Sequence, residues 1–140
     1  MRLIITEPAN VVVDHADVLS VRAEDASGSF GILPGHADMI TVLTPSVIAW
    51  RHEDGRVGWC AVRHGVLSVQ AGHRVAIATR QAQVGGDLAL LEHVVLERYR
   101  GELDAERRAR AAATRLHTAA IREIIRALRP NGRQAVGDGV

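Results

Sequence analysis

The spacing of apolar residues changes period once in this chain, at Gly85-Gly86-Asp87, and that change limits what it can fold into. A period of two puts alternate side chains on one face of a strand, and a period near 3.6 puts them on one face of a helix. Before the change the chain reads as strands. Leu3 and Ile5 alternate with Arg2, Ile4 and Thr6, and Pro8 closes the run. Val11–Val13 and Val18–Ala23 follow, with Leu19, Val21 and Ala23 on one face. Then come Met39–Leu43, Ser46–His52, Val57–Val62, Val66–Gln70 and Arg74–Thr79. Asp54-Gly55 predicts a type I′ hairpin, which needs positive φ at both central residues. Ala71-Gly72 hinges the next pair. Short strands with turns about every ten residues predict an antiparallel sandwich or barrel.

After the change the pattern is helical. Asp87 is a good N-cap, and Leu88, Leu91, Val95 and Tyr99 recur at helical spacing. Gly101 is read as a break, and a second helix opens near Leu103-Asp104, where acidic residues suit the positive end of the helix dipole. Ala109, Ala112, Leu116, Ala120, Ile124 and Leu128 form its apolar stripe. The expected fold class is therefore β + α. An N-terminal antiparallel β-sandwich over residues 1–85 precedes a two-helix αα-hairpin over 86–129, and a disordered tail over 130–140 follows Pro130-Asn131-Gly132.

Charge and chemistry narrow the function. All 17 basic residues of the 140 are Arg. Residues 1–97 hold 7 Arg against 11 acids, and residues 98–140 hold 10 Arg against 5 acids. An acidic front and a basic tail suit an acidic protein partner, a membrane surface or nucleic acid. The lone Cys60 excludes an internal disulfide and lies in a predicted strand, so it reads as packing, and the default compartment is the cytoplasm. The seven histidines form no pair at metal-ligand spacing, and no phosphate loop or nucleophile elbow is present. No run approaches the roughly 20 apolar residues of a membrane span. No catalytic residues, cofactor or metal ligands are expected.

One stretch remains unusual: Gly28-Ser29-Phe30-Gly31-Ile32-Leu33-Pro34-Gly35-His36-Ala37. Leu33-Pro34-Gly35-His36 predicts a type II turn, proline presetting φ and glycine supplying the positive φ. Phe30, Ile32 and Leu33 crowd around it, and either plug the end of a core or offer a docking surface. This stretch closely resembles the G-x-(F/L)-G-(I/V)-L-P-G-H-A loop of the epsilon subunit of F-type ATP synthases. Met39–Leu43, Pro45, Asp54-Gly55 and Val62–Val69 extend the resemblance, with His64 where the family has glycine and Val66 where it has an aromatic residue.

The resemblance implies a non-catalytic central-stalk rotor subunit of a proton- or sodium-translocating ATP synthase, peripheral on the cytoplasmic side of a bacterial plasma membrane. It implies a sandwich bound to the gamma subunit and resting on the c-ring, with Ser29, Phe30, Ile32, Leu33, Pro34, Gly35 and His36 as the contact residues. It also implies a helical hairpin that reaches the catalytic alpha/beta head and regulates hydrolysis, here through Arg107, Arg108, Arg115, Arg122 and Arg126. Some family members bind ATP through an (I/L)-D-x-x-R-A motif. Its Asp falls on Ala89 here and its Arg on Leu91 or Glu92, so no ATP site is expected. Without the resemblance, the Arg-rich helical tail suits a small nucleic-acid-binding protein.

Overall fold

A computed structural model describes residues 1–129. Ten strands form from the first 85: β1 Arg2–Thr6, β2 Val11–His15, β3 Val18–Asp25, β4 Gly28–Ile32, β5 Met39–Leu43, β6 Ser46–His52, β7 Val57–Val62, β8 Gly65–Gln70, β9 Arg74–Thr79 and β10 Ala82–Gly85. They hydrogen-bond in the order β10-β7-β6-β3-β5-β8-β9-β1-β2, with β4 on the other side of β3. β3 and β5 meet only at Asp25 and Leu43, so the path turns a corner there and its two halves close over one core. Leu3 and Ile5 of β1, Ile48 and Trp50 of β6, Leu67 and Val69 of β8, and Val75 and Ile77 of β9 supply that core. Each such side chain contributes about 1.5–3 kcal/mol through burial.

Four local expectations change. β1 pairs antiparallel with β2 but parallel with β9, so the sandwich is mixed. Leu19 is exposed while Val18 is buried, because the β3–β6 register shifts between Val18 and Ser20. One residue of shift sends a side chain to the opposite face. At Asp54-Gly55 only Gly55 has positive φ (91°), and Gly55 N–H donates to His52 C=O at 3.0 Å. The paired positive φ of a type I′ turn occurs instead at Ala71 (55°) and Gly72 (71°), where His73 N–H donates to Gln70 C=O at 3.3 Å. Finally, Gly28–Ile32 is a strand. Phe30 and Ile32 point inward from it, and only Leu33–His36 is the turn.

The αα-hairpin is overturned. Asp87 caps a short turn, α1 (Leu88–Leu90), accepting from the amides of Ala89 at 3.0 Å and Leu90 at 3.4 Å. A π-helical turn, Leu91–Val95, leads into a single helix, α2 (Leu96–Leu128), of 33 residues. Gly101 lies inside it. A helical glycine costs about 1 kcal/mol relative to alanine, and the strong helix formers Arg100 and Glu102 flank it. Breaking a helix takes proline or a left-handed residue, and Gly101 is neither.

The chain divides into two compact units, Met1–Glu102 and the residues from Leu103 onward. The first reaches past residue 85 because Leu91, Val95, Leu96 and Tyr99 bury themselves against Ala61, Val47 and Trp59 on the outer face of β6 and β7. The expected disordered tail over 130–140 lies outside the described residues.

Candidate docking surfaces

The turn singled out by the sequence is built and braced. His36 N–H donates to Leu33 C=O at 3.1 Å and Gly35 has φ of 87°, as a type II turn requires. The β8–β9 turn holds it from the side. Gly35 N–H donates to Gly72 C=O at 2.7 Å, and Ala71 N–H donates to the Asp38 carboxylate at 2.8 Å. A Cβ on Gly72 would lie 3.0 Å from Gly35 Cα, so the glycine lets two turns touch. Of the seven predicted contact residues, Ile32 is wholly buried and Phe30 packs against the core, which makes both of them plugs. Ser29, Leu33, Pro34 and Gly35 are exposed, Leu33 at 61 %, and His36 is half-buried with its Nδ1 2.7 Å from Ala37 C=O.

A second surface lies across β5, β8 and β9. The register places Val42, Val66 and Ala78 in one row across β5, β8 and β9, with Ile40 beside Ser68 and Ala76 in the next. All of these side chains face outward. Ile40 is 77 % exposed and Val42 58 %, and a shallow groove of about 240 Å³ runs past Val42, Val66, Ala78 and Arg80. Its signal was present in Met39–Leu43, where apolar residues occupy both faces of the strand. A strand with one solvated face alternates apolar with polar.

Two sets of polar groups are built into the packing. Cys60 is fully buried and its thiol is pushed up to about 12 by desolvation, so it is no nucleophile. His52, His15 and Asp17 come together although the sequence scatters them. His52 Nδ1 lies 2.9 Å from the Asp17 carboxylate, its Nε2 accepts from Trp50 Nε1–H at 3.2 Å, and the His15 ring stands edge-on at 4.7 Å. His52 thus bridges Trp50 and Asp17 through its two ring nitrogens. This cluster ties the ends of β2, β3 and β6 together. No group of three or more metal-ligating side chains occurs among the described residues, and no described helix is long and apolar enough to cross a membrane.

In the second unit the five predicted arginines are exposed on α2. Arg108, Arg115, Arg122 and Arg126 recur at helical spacing along one strip. Ile121, Ile124, Ile125 and Leu128 form an exposed apolar strip on a different, largely opposite face of the helix. Arg107 falls in line with Ile125 rather than with the other arginines, and Arg126 pairs with Glu123 at 3.6 Å.

Residues 1–85 match the family described as ATP synthase, Delta/Epsilon chain, beta-sandwich domain. An "ATP synthase epsilon chain 2" of Paraburkholderia xenovorans is 48% identical over 131 residues, covering 94% of each chain. A protein of the same description from Cereibacter sphaeroides is 42% identical over 128 residues, covering 91% of this chain and 88% of the relative. Among solved structures, a chain of the Euglena gracilis mitochondrial ATP synthase superposes with a TM-score of 0.57 at 22% identity, covering 75% of this chain and 62% of that one. A chain of the Tetrahymena thermophila mitochondrial ATP synthase central stalk and ring gives 0.52 at 17% identity, with coverage of 86% and 95%. At those identities the structures speak for the fold alone.

Proposed function

The chain belongs to the delta/epsilon family of ATP synthase subunits, as an epsilon chain, and from that premise we propose that it is a non-catalytic rotor subunit of the central stalk. The gamma subunit covers the outward apolar row of β5, β8 and β9. The c-ring is met at β4 and the braced Leu33–His36 turn. The Arg strip of α2 faces acidic surface on the catalytic alpha/beta head. The subunit sits peripherally on the cytoplasmic side of a bacterial membrane, in an enzyme that pumps protons or sodium ions.

The single observation that carries this reading is the exposed row Ile40, Val42 and Val66 on a well-packed sheet, in a chain of this family. A contiguous apolar face marks an interaction surface. Two sheets sharing a close-packed core resist shear, which torque transmission demands. The nucleic-acid reading has no comparable support. The relatives are ATP synthase chains, and the arginines of α2 are interspersed with Glu102, Asp104, Glu106 and Glu123.

The test is copurification of the tagged chain with its gamma subunit. Wild type is retained, and a variant carrying Ile40→Asp and Val42→Asp is lost from the complex while keeping its own circular dichroism. Failure of wild type to retain gamma refutes the rotor reading.

A further inference from the structure

The strand β4 has one bonded edge and one open edge, and the register says which groups the open edge presents. Asp25–Gly28 closes the β3–β4 turn, followed by the pairs Glu24–Ser29, Ala23–Phe30 and Arg22–Gly31. Glu24 C=O points to the other side of β3, where it accepts from Thr44 N–H at 3.3 Å. The Glu24–Ser29 pair is therefore a non-bonded one, and so is Arg22–Gly31, two residues on. The backbone N–H and C=O of Ser29 and Gly31 consequently point off the sheet. Neither residue has a backbone partner among the described residues, and both are exposed.

Native edges are guarded by charge, proline or a bulge. Gly28–Ile32 carries none of these and pairs in unbroken register. Gly31 is not explained from within either: its φ is ordinary, and an added Cβ would find its nearest neighbour at 4.0 Å. Its missing side chain clears a path from the open edge to the residue directly opposite, Arg22.

That path opens onto a groove of about 580 Å³ across the outer face of β3, β4, β6 and β7. Its charged lining consists of Arg22 and Arg51, diagonal neighbours in the β3–β6 register, and Leu33 and Val57 supply apolar walls. Neither guanidinium has a hydrogen bond or ion pair among the described residues. Two cations close together without a counter-charge repel each other, and a shared carboxylate relieves that repulsion through charge-assisted bonds. Glu24 stands opposite Ser29, so the site for an acid lies at the Gly31 end.

We propose that β4 is completed by an extended segment of a partner protein, which bonds the backbone of Ser29 and Gly31 and places a carboxylate side chain between Arg22 and Arg51. Main-chain bonds supply the affinity of such strand addition, and the side-chain site supplies its selectivity. The proposal rests on the reading of β4 as a contact surface, but not on which assembly provides the partner. The probe is a capped peptide of alternating Thr and Val with one central Glu, beside a twin with Lys in that place. Both are titrated into the full-length chain while amide exchange is followed by nuclear magnetic resonance.

At millimolar peptide the Glu form slows exchange at Ser29 and Gly31 and binds about tenfold more tightly than the Lys form. Arg22→Ala and Arg51→Ala each remove most of that preference and leave the fold unchanged, since both side chains are exposed. Three results overturn the proposal: no added protection at Ser29 and Gly31, equal binding of the two peptides, or protection of β4 by self-association without peptide. An arginine-dependent signal given equally by inorganic phosphate overturns it as well, because the site then reads an anion and no strand. Copurification with gamma is unaffected by any of these outcomes, so the two readings fail separately.

Discussion

Tyr99 is 1 % exposed, and its hydroxyl is a buried polar atom without a hydrogen-bond partner among the described residues. The ring packs with Leu91, Val95 and Leu96 over Ala61, and desolvation there pushes the phenol pKa upward. A buried hydroxyl left unsatisfied costs about 1–3 kcal/mol, whereas the ring's burial is kept when the oxygen is removed. Tyr99→Phe should therefore stabilise the first unit by about 1–2 kcal/mol. In a unit of this size that raises the melting temperature by about 4–8 °C for each kcal/mol. The control, Tyr99→Ala, removes the ring and opens a cavity, and should destabilise by about 3–5 kcal/mol. Urea unfolding read by tryptophan fluorescence is the assay, because Trp59 packs against this cluster and Trp50 sits in the main core. If Tyr99→Phe destabilises by about 1 kcal/mol or more, the hydroxyl has a partner and the reasoning is wrong.

Three further outcomes are expected. Ile32→Asp places a charge in the fully buried core and should abolish folding, at a cost above about 4 kcal/mol, whereas Leu33→Asp should leave the circular dichroism intact and weaken retention in the complex. Asp17 has its pKa lowered, first by its hydrogen bond with His52, so its contribution is complete above the unfolded carboxylate pKa and is lost as pH falls through the folded one. Asp17→Asn should flatten that acid limb of stability measured by urea titration. Calorimetry at millimolar ATP should detect no binding in the micromolar range, because Ala89 and Leu91 offer neither carboxylate nor guanidinium.

The sequence made the strands legible where one face was plainly apolar, as at Ser46–His52 and Arg74–Thr79, whose bounds are those observed. Local chemistry also carried the Leu33–His36 turn and the Asp87 cap. Leu19 was misplaced because a register shift depends on the partner strand β6, and nothing within Val18–Ala23 records it. Gly28–Ile32 looked like a loop because its glycines hide the alternation of Phe30 and Ile32. Gly101 was read as punctuation, although a glycine between strong helix formers lowers helix stability without ending the helix. The His52–Asp17 contact joins residues far apart in sequence, and the apolar row on β5, β8 and β9 needs three strands in register before it becomes a surface.

The parallel pairing of β1 with β9 has a consequence for how the chain is made. Arg2–Thr6 lies beside Arg74–Thr79, so the amino-terminal strand has a hydrogen-bonding neighbour on that side only after most of the domain has been synthesised. Contacts of such large sequence separation slow folding, because the intervening loop must close before they form. On the ribosome the hairpins β3–β4, β6–β7 and β8–β9 can zip as they emerge, while β1 and β2 wait as an exposed two-strand ribbon. Release of residue 79 from the exit tunnel should therefore be the step at which a nascent chain turns protease-resistant, and arrest a few residues earlier should leave it cleavable.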